Sequence, residues 1–161
     1  MRTHDAVVVP EGSAELVELA HGGAFRLLVD AGATGSALGA NRLTLTSGAD
    51  GARPHHHALS SELFYVLAGT MEFLLGDRMV TAGAGSLIVV PPGMVHAFGA
   101  SAGSAADLLV VMAPGVERFD YFRRLGRISR GQESFDGLLP EQDRFDVHFA
   151  DSTAWTRGRA R

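Results

Sequence analysis

Short apolar runs recur along the chain and are separated by glycine, proline, aspartate or serine. They are rich in Val, Leu, Ile, Phe and Thr, and short runs bounded by turn-forming residues are typical of the strands of a sandwich or barrel. The pattern therefore predicts an all-β domain built from many short strands. The runs are Ala6–Val9, Leu16–Leu19, Phe25–Val29, Leu43–Thr46, Leu63–Leu67, Met71–Leu75, Met79–Thr81, Leu87–Val90, Val95–Phe98 and Leu108–Met112.

The connections between these runs carry turn signals of different strength. Gly76-Asp77, between Leu75 and Arg78, is a two-residue hairpin sequence. Gly69-Thr70 separates two strand-like runs and predicts another tight turn. The stretches 31–40 and 100–105, rich in Gly, Ala and Ser, predict loops, the first of them flexible.

One segment near the C-terminus has a helical period. Its apolar positions follow a three-residue step, which leaves a single stripe along a helix. We therefore expect one amphipathic helix over residues 116–129, packed on a sheet face. Residues 151–161 have no periodicity and predict a loose tail, with Trp155 docked on a neighbouring element. The stripe consists of Val116, Phe119, Phe122, Leu125 and Ile128.

Composition excludes several kinds of chemistry. The 161 residues include no Cys and no Lys, which rules out disulfides, thiolate sites and Schiff-base catalysis. Fourteen Arg against 18 acidic residues give a net charge of −4, so nucleic acid is not an expected partner. The longest apolar stretch, Leu108–Ala113, is far short of a membrane span. No signal peptide is recognisable, so we expect a cytoplasmic protein.

A cluster of histidines is the main chemical feature. On an extended chain side chains alternate between faces, so His55 and His57 project one way and His56 the other. If His96 lies on a neighbouring strand, it can face the same interior, and Glu62 follows close by. Three imidazoles and one carboxylate suit a first-row divalent metal. Each of these residues alone is also compatible with an ordinary core or surface position.

The joint spacing resembles the cupin superfamily. The first motif of that family is matched by His55-His56-His57, four residues, Glu62, six residues and Gly69. The second is matched by Gly85, five residues, Pro91-Pro92-Gly93, two residues and His96. Two turn positions depart from the family pattern: Gly51 is out of register, and Ala100 replaces the closing Asn.

The resemblance implies a double-stranded β-helix, the jelly-roll barrel of cupins, with a C-terminal amphipathic helix. Residues 1–40 would supply N-terminal strands and a Gly-rich loop, 41–113 the barrel core with both motifs, and 114–161 the helix and tail. It also implies one divalent metal, which could be Fe, Mn, Ni, Co, Cu or Zn, and a homodimer. The implied ligands are His55, His57, Glu62 and His96.

The surroundings of the implied metal are expected to be apolar. Phe64 and Val66 lie two and four residues after Glu62 on an extended chain, so they project to the same face as Glu62. Phe98 lies two residues after His96 and projects to the same face as His96. With Phe73, they are expected to line the substrate pocket. Such a pocket suits an aromatic or polyketide-like small molecule.

The stretches 62–69 and 114–119 resemble small single-domain cupins of the cupin type-2, quercetin-dioxygenase-like kind. The resemblance implies a dioxygenase in which Glu62 accepts a proton from the substrate and O2 reacts with the activated ring. Two alternatives stay open. One is a cupin isomerase, cyclase or lyase of small-molecule metabolism, and the other is a non-catalytic ligand-binding or sensing cupin.

Overall fold

Antiparallel β-strands are the main secondary structure of the computed structural model, which describes residues 5–160. This confirms the predicted all-β class. The strands within this range are β1 (Glu15–Glu18), β2 (Ala24–Val29), β3 (Gly39–Leu45), β4 (Asp50–His56), β5 (Ser61–Leu75), β6 (Arg78–Gly83), β7 (Leu87–Val90), β8 (His96–Ala100), β9 (Ala106–Ala113) and β10 (His148–Phe149).

The strands form a curled sheet with two parts that share β5. One part has the order β1-β2-β3-β9-β5-β7, and the other has the order β10-β4-β8-β5-β6. The first half of β5 pairs with β9 and β7, and its second half pairs with β8 and β6. One long strand therefore joins the two faces of the half-barrel.

The predicted turn at Gly69-Thr70 is wrong, because β5 runs through it without a break. Gly69 has a φ of +74°, and a Cβ there would lie 1.8 Å from the carbonyl oxygen of Ala105. Glycine is therefore needed to bend the strand and let β9 approach. The Gly76-Asp77 hairpin is confirmed, since Leu75 pairs with Arg78 across it.

The core lies between the two parts of the sheet. Inward side chains of β5 such as Phe64, Val66 and Phe73 are completely buried. The intervening residues Tyr65 and Leu67 point outward and are about two-fifths exposed. This period-2 alternation fixes the register, because a shift of one residue would exchange the two faces.

The C-terminal part contains short helices, α1 (Phe119–Ser129), α2 (Gln142–Phe145) and α3 (Thr153–Gly158). The predicted helix exists but begins at Phe119 rather than residue 116. The predicted loose tail is wrong, because it contains α3, capped by Ser152. Trp155 is buried against Leu74 and Ala97, so its expected docking is correct.

Two N-terminal expectations also differ from the structure. Ala6–Val9 forms no strand, since this exposed stretch has no pairing partner and is followed by Pro10. The predicted loop 31–40 begins with a 3₁₀ turn, Ala31–Thr34, that Asp30 caps, and β3 starts at Gly39. No helix within residues 5–160 is long and apolar enough to span a membrane.

Candidate metal centre

Three neighbouring strands bring the predicted ligands together. His55 on β4 pairs directly with His96 at the start of β8, and His57 follows the end of β4. Glu62 extends from β5 next to them. The Pro-Pro-Gly turn of the second motif is attached to the first motif, because the Gly93 N–H donates to the His57 carbonyl at 2.7 Å.

The four side chains form one buried group. One ligand atom from each lies within 4.8 Å of all the others, and none of the four residues is more than 5% exposed. Glu62 Oε2 contacts Nε2 of His57 and lies 3.0 Å from Nε2 of His96. His56 points away from the group, and its ring stacks on that of His148 with centroids 4.9 Å apart.

Hydrogen bonds to the backbone orient all three imidazoles of this group. Nδ1 of His55 donates to the Arg53 carbonyl at 2.7 Å, and Nδ1 of His96 donates to that of Met94 at 2.9 Å. Nδ1 of His57 donates to the Asp146 carbonyl at 2.6 Å. A neutral imidazole with a proton on Nδ1 has its lone pair on Nε2. The group therefore directs three lone pairs and a carboxylate at one point, which is the donor set of a divalent cation.

The electrostatics of the group match this assignment. Burial lowers the pKa of His55 well below its usual value, and the neighbouring His96 and His57 rings lower it further. Burial raises the pKa of Glu62, but the adjacent His57 and His96 rings outweigh it and hold this pKa well below its ordinary value. At neutral pH, His55 is therefore neutral and Glu62 ionised, the forms that bind metals.

Asp146 supports the group from a distant part of the chain. It lies between α2 and β10 with a φ of +52°. Its carboxylate accepts the N–H groups of Ala58 at 2.7 Å and Leu59 at 3.0 Å. It therefore fixes both the His57 ring and the loop that follows. Sequence reasoning missed it, because no local pattern distinguishes this aspartate.

A cavity of about 280 Å³ opens next to the candidate ligands. This volume is close to the lower end of the roughly 300–1,000 Å³ typical of ligand pockets. His55, His57 and Glu62 lie in its wall. The opposite wall comes from α1, whose Phe122 and Leu125 also pack against the barrel core. The helix therefore covers the open side of the barrel.

The predicted pocket residues divide into two sets. Phe98 lines the cavity. Phe64, Val66 and Phe73 do not, because they are completely buried in the core. The Phe64 and Phe73 rings lie 4.9 and 6.2 Å from that of Phe98 and support it from within. The expected apolar lining comes instead from α1 and from strands β2, β3 and β9.

Three buried polar residues of the cavity wall were not predicted. Arg118 precedes α1, Tyr121 lies in its first turn, and Asn41 belongs to β3. Arg118 falls within the 114–119 stretch that carried the resemblance, and this was the only signal in the sequence that pointed to it.

Comparison with known families agrees with this geometry. Residues 41–112, which include all four candidate ligands, match the family model of the cupin domain, Cupin_2. This part of the barrel is therefore similar to a cupin domain. No curated protein matches the sequence significantly.

Solved cupin-like structures show the same fold. An RmlC-like cupin from Shewanella frigidimarina has a TM-score of 0.60 and 19% identity, over 74% of this chain and 99% of that one. The nucleoside dehydratase Pac13, from Streptomyces, has a TM-score of 0.56 and 21% identity, over 72% of this chain and 88% of that one. The polyketide cyclase RemF from Streptomyces resistomycificus has a TM-score of 0.55 and 22% identity, over 68% of this chain and 80% of that one. At these identities the likeness concerns the fold.

Proposed function

We propose that this cupin is a metal-dependent enzyme that acts on a small aromatic or enolic molecule. The observation that carries the proposal is the position of the ligand group. Three oriented imidazoles and one ionised carboxylate lie in the wall of a mostly apolar cavity. A structural metal site would be closed off by protein, whereas a cavity next to the ligands gives a substrate access to the metal.

The donor set fits a first-row divalent ion without selecting one of them. His55, His57, Glu62 and His96 would hold it through three Nε2 atoms and a carboxylate oxygen. When bound, such an ion supplies Lewis-acid polarisation of a substrate oxygen.

Glu62 is the proposed proton acceptor. Its carboxylate is ionised and buried, and it lies in the cavity wall, where an enol or phenol would bind. Side chains of helix α1 line the same cavity, and a helix that excludes water from a site strengthens the electrostatic effect of a carboxylate on a bound hydroxyl. The residue would take the proton from that hydroxyl and return it later in the cycle.

A dioxygenase is the first reaction class that we propose. The test is O2 uptake by metal-loaded protein with a panel of flavonols and related enols, together with product analysis. Glu62→Gln is expected to keep part of the metal but to lose most of the turnover, because an amide cannot accept the proton. Conversion at the full rate without O2 would reject the dioxygenase.

A non-oxidative cyclase or dehydratase is the second candidate, and Tyr121 favours it. Its hydroxyl lies in the same cavity as Glu62, and burial raises its pKa to about 12. It therefore stays protonated and could act as a proton donor opposite the carboxylate acceptor. Pac13, a nucleoside dehydratase solved with uridine, and the cyclase RemF share the fold. Anaerobic conversion that Tyr121→Phe slows would support this class.

A further inference from the structure

Arg118 is a buried cation in the wall of the cavity. The residue is 6% exposed and lies immediately before α1. Its Nη2 donates to the Asp146 carbonyl at 3.1 Å and lies 3.0 Å from Nδ1 of His57. Its Nε is buried and has no hydrogen-bond partner among residues 5–160. The protein therefore leaves part of this guanidinium unsatisfied.

The carboxylates of Glu62, Asp146 and Asp30 act on the charge of Arg118 only from beyond ion-pair distance. No ion pair within the described part of the chain includes it, whereas the arginines of α1, such as Arg123 and Arg124, all have a carboxylate partner. Buried charges in proteins are almost always paired, because an isolated one is costly. A buried, unpaired guanidinium facing a cavity therefore indicates an anionic ligand.

Tyr121 provides a second donor on the same face of the chain. It lies three residues after Arg118, is 9% exposed and lines the same cavity. Its hydroxyl takes part in none of the hydrogen bonds formed within residues 5–160, and only burial and nearby charges affect its pKa. A buried phenol normally finds a partner. Arg118 and Tyr121 thus line one cavity with donor groups that the protein does not fully use.

We propose that Arg118 and Tyr121 form an anion subsite, and that the cavity takes a small molecule bearing a carboxylate or a similar anionic oxygen. Planar guanidinium groups recognise carboxylates with high geometric specificity. Arg53 and Arg118 balance Asp50 and Glu62 in the cavity wall, so a bound divalent metal would leave an excess of positive charge that an anionic ligand would neutralise. This inference rests on the proposed function, because it places the substrate of the same site.

Salicylate and salicylamide are suitable probes, since they have nearly the same shape and differ in the anionic oxygen. Binding of each would be measured by calorimetry on the zinc-loaded, full-length chain. We expect salicylate to bind the wild-type protein at least tenfold more tightly, as a buried bond to a charged group implies a factor of about 10 to 100. Arg118→Gln should abolish this preference, whereas Arg26→Gln, an exposed arginine on β2, should keep it.

Tyr121→Phe tests the subsite independently, in case Arg118→Gln does not fold. It removes only a hydroxyl and should weaken salicylate binding by a factor of about 2 to 10. Tyr65→Phe, on the outer face of β5, is the matched control and should have no effect. Equal binding of the two probes by the wild type, or identical behaviour of either variant and its control, would overturn the inference.

Zinc content separates this inference from the proposed function. A chain that holds zinc but binds both probes equally would reject the anion subsite and leave the metal enzyme intact. A chain that holds no zinc but prefers salicylate through Arg118 would reject the proposed function and support the subsite.

Discussion

Replacing Asp146 tests how the C-terminal segment stabilises the candidate metal centre. The carboxylate accepts two N–H groups, from Ala58 and Leu59, in the loop directly after His57. Both residues are exposed, so their N–H groups can bond to water when the carboxylate is removed. The net loss is therefore about 1–1.5 kcal/mol for each bond, the upper part of the range for an ordinary hydrogen bond and just below that for a bond to a buried charged group.

Asp146→Ala is expected to lower the free energy of unfolding by about 3–4 kcal/mol in total. The two lost hydrogen bonds account for most of this, and the left-handed φ adds about 1 kcal/mol for alanine. For a chain of this size, this corresponds to a decrease in Tm of about 6–16 °C. Asp146→Asn keeps one acceptor and tolerates the backbone conformation, so it should cost about half as much. Differential scanning calorimetry measures both values. Asp77→Asn, in an exposed hairpin turn, is the control and should change Tm by less than about 2 °C.

The same carboxylate makes part of the stability depend on pH. Burial raises the pKa of Asp146, but the bonds from Ala58 and Leu59 outweigh it and lower this pKa below its ordinary value. The folded-state pKa is thus below that of the unfolded chain. The stabilisation by the ionised Asp146 is complete at a pH above the pKa of the unfolded chain. It is lost as the pH falls through the pKa of the folded chain. Two results would refute this reasoning. One is a change in Tm for Asp146→Ala at neutral pH that is no larger than that of the Asp77→Asn control. The other is a difference in stability between Asp146→Ala and wild type that stays the same in strong acid.

Three further predictions concern the packing of the helices and the outer surface. Gly126→Leu should destabilise the protein by about 1–3 kcal/mol in chemical denaturation, because a Cβ there would lie 2.5 Å from the Val17 side chain of β1. Arg127→Leu, on the exposed face of the same helix, is the control and should not destabilise it. Trp155→Ala should cost about 3–5 kcal/mol in the same assay, since its ring is buried against the barrel; a cost below about 1 kcal/mol would mean that α3 is not stably docked. Light scattering should give a dimer through the N-terminal strands, as the family resemblance implies, and Leu16→Arg on the half-exposed face of β1 should convert it to monomer; an unchanged mass would place the interface elsewhere.

The group of candidate metal ligands could be predicted because short-range spacing in the sequence marks it. His55 and His57 lie two residues apart on an extended chain, so alternation alone brings them to one face. Glu62 and His96 required the motif spacing as well, and the structure places all four together. Short-range periodicity also located the hairpin at Gly76, where the turn chemistry is fully encoded in the sequence.

The parts that were missed depend on contacts between distant residues. Asp146 and Arg118 reach His57 across 89 and 61 positions. No local pattern marks Asp146, and only the resemblance of the stretch 114–119 pointed to Arg118. The turn predicted at Gly69 failed because β5 pairs with β9 up to Gly69 and with β8 from Met71 onwards, and this pairing overrides the local signal. Helices as short as α2 and α3 are marginal alone and form through packing, so periodicity could not reveal them.

The metal content of tag-free protein tests the central claim most directly. Elemental analysis after dialysis against one equivalent of zinc should give one ion per chain for the wild type. His57→Ala removes a ligand and should lower the content severalfold, whereas His56→Ala, whose ring stacks outside the group, should retain the full equivalent. A wild-type protein without metal, or equal loss in the two variants, would contradict the assignment of this group as the metal centre.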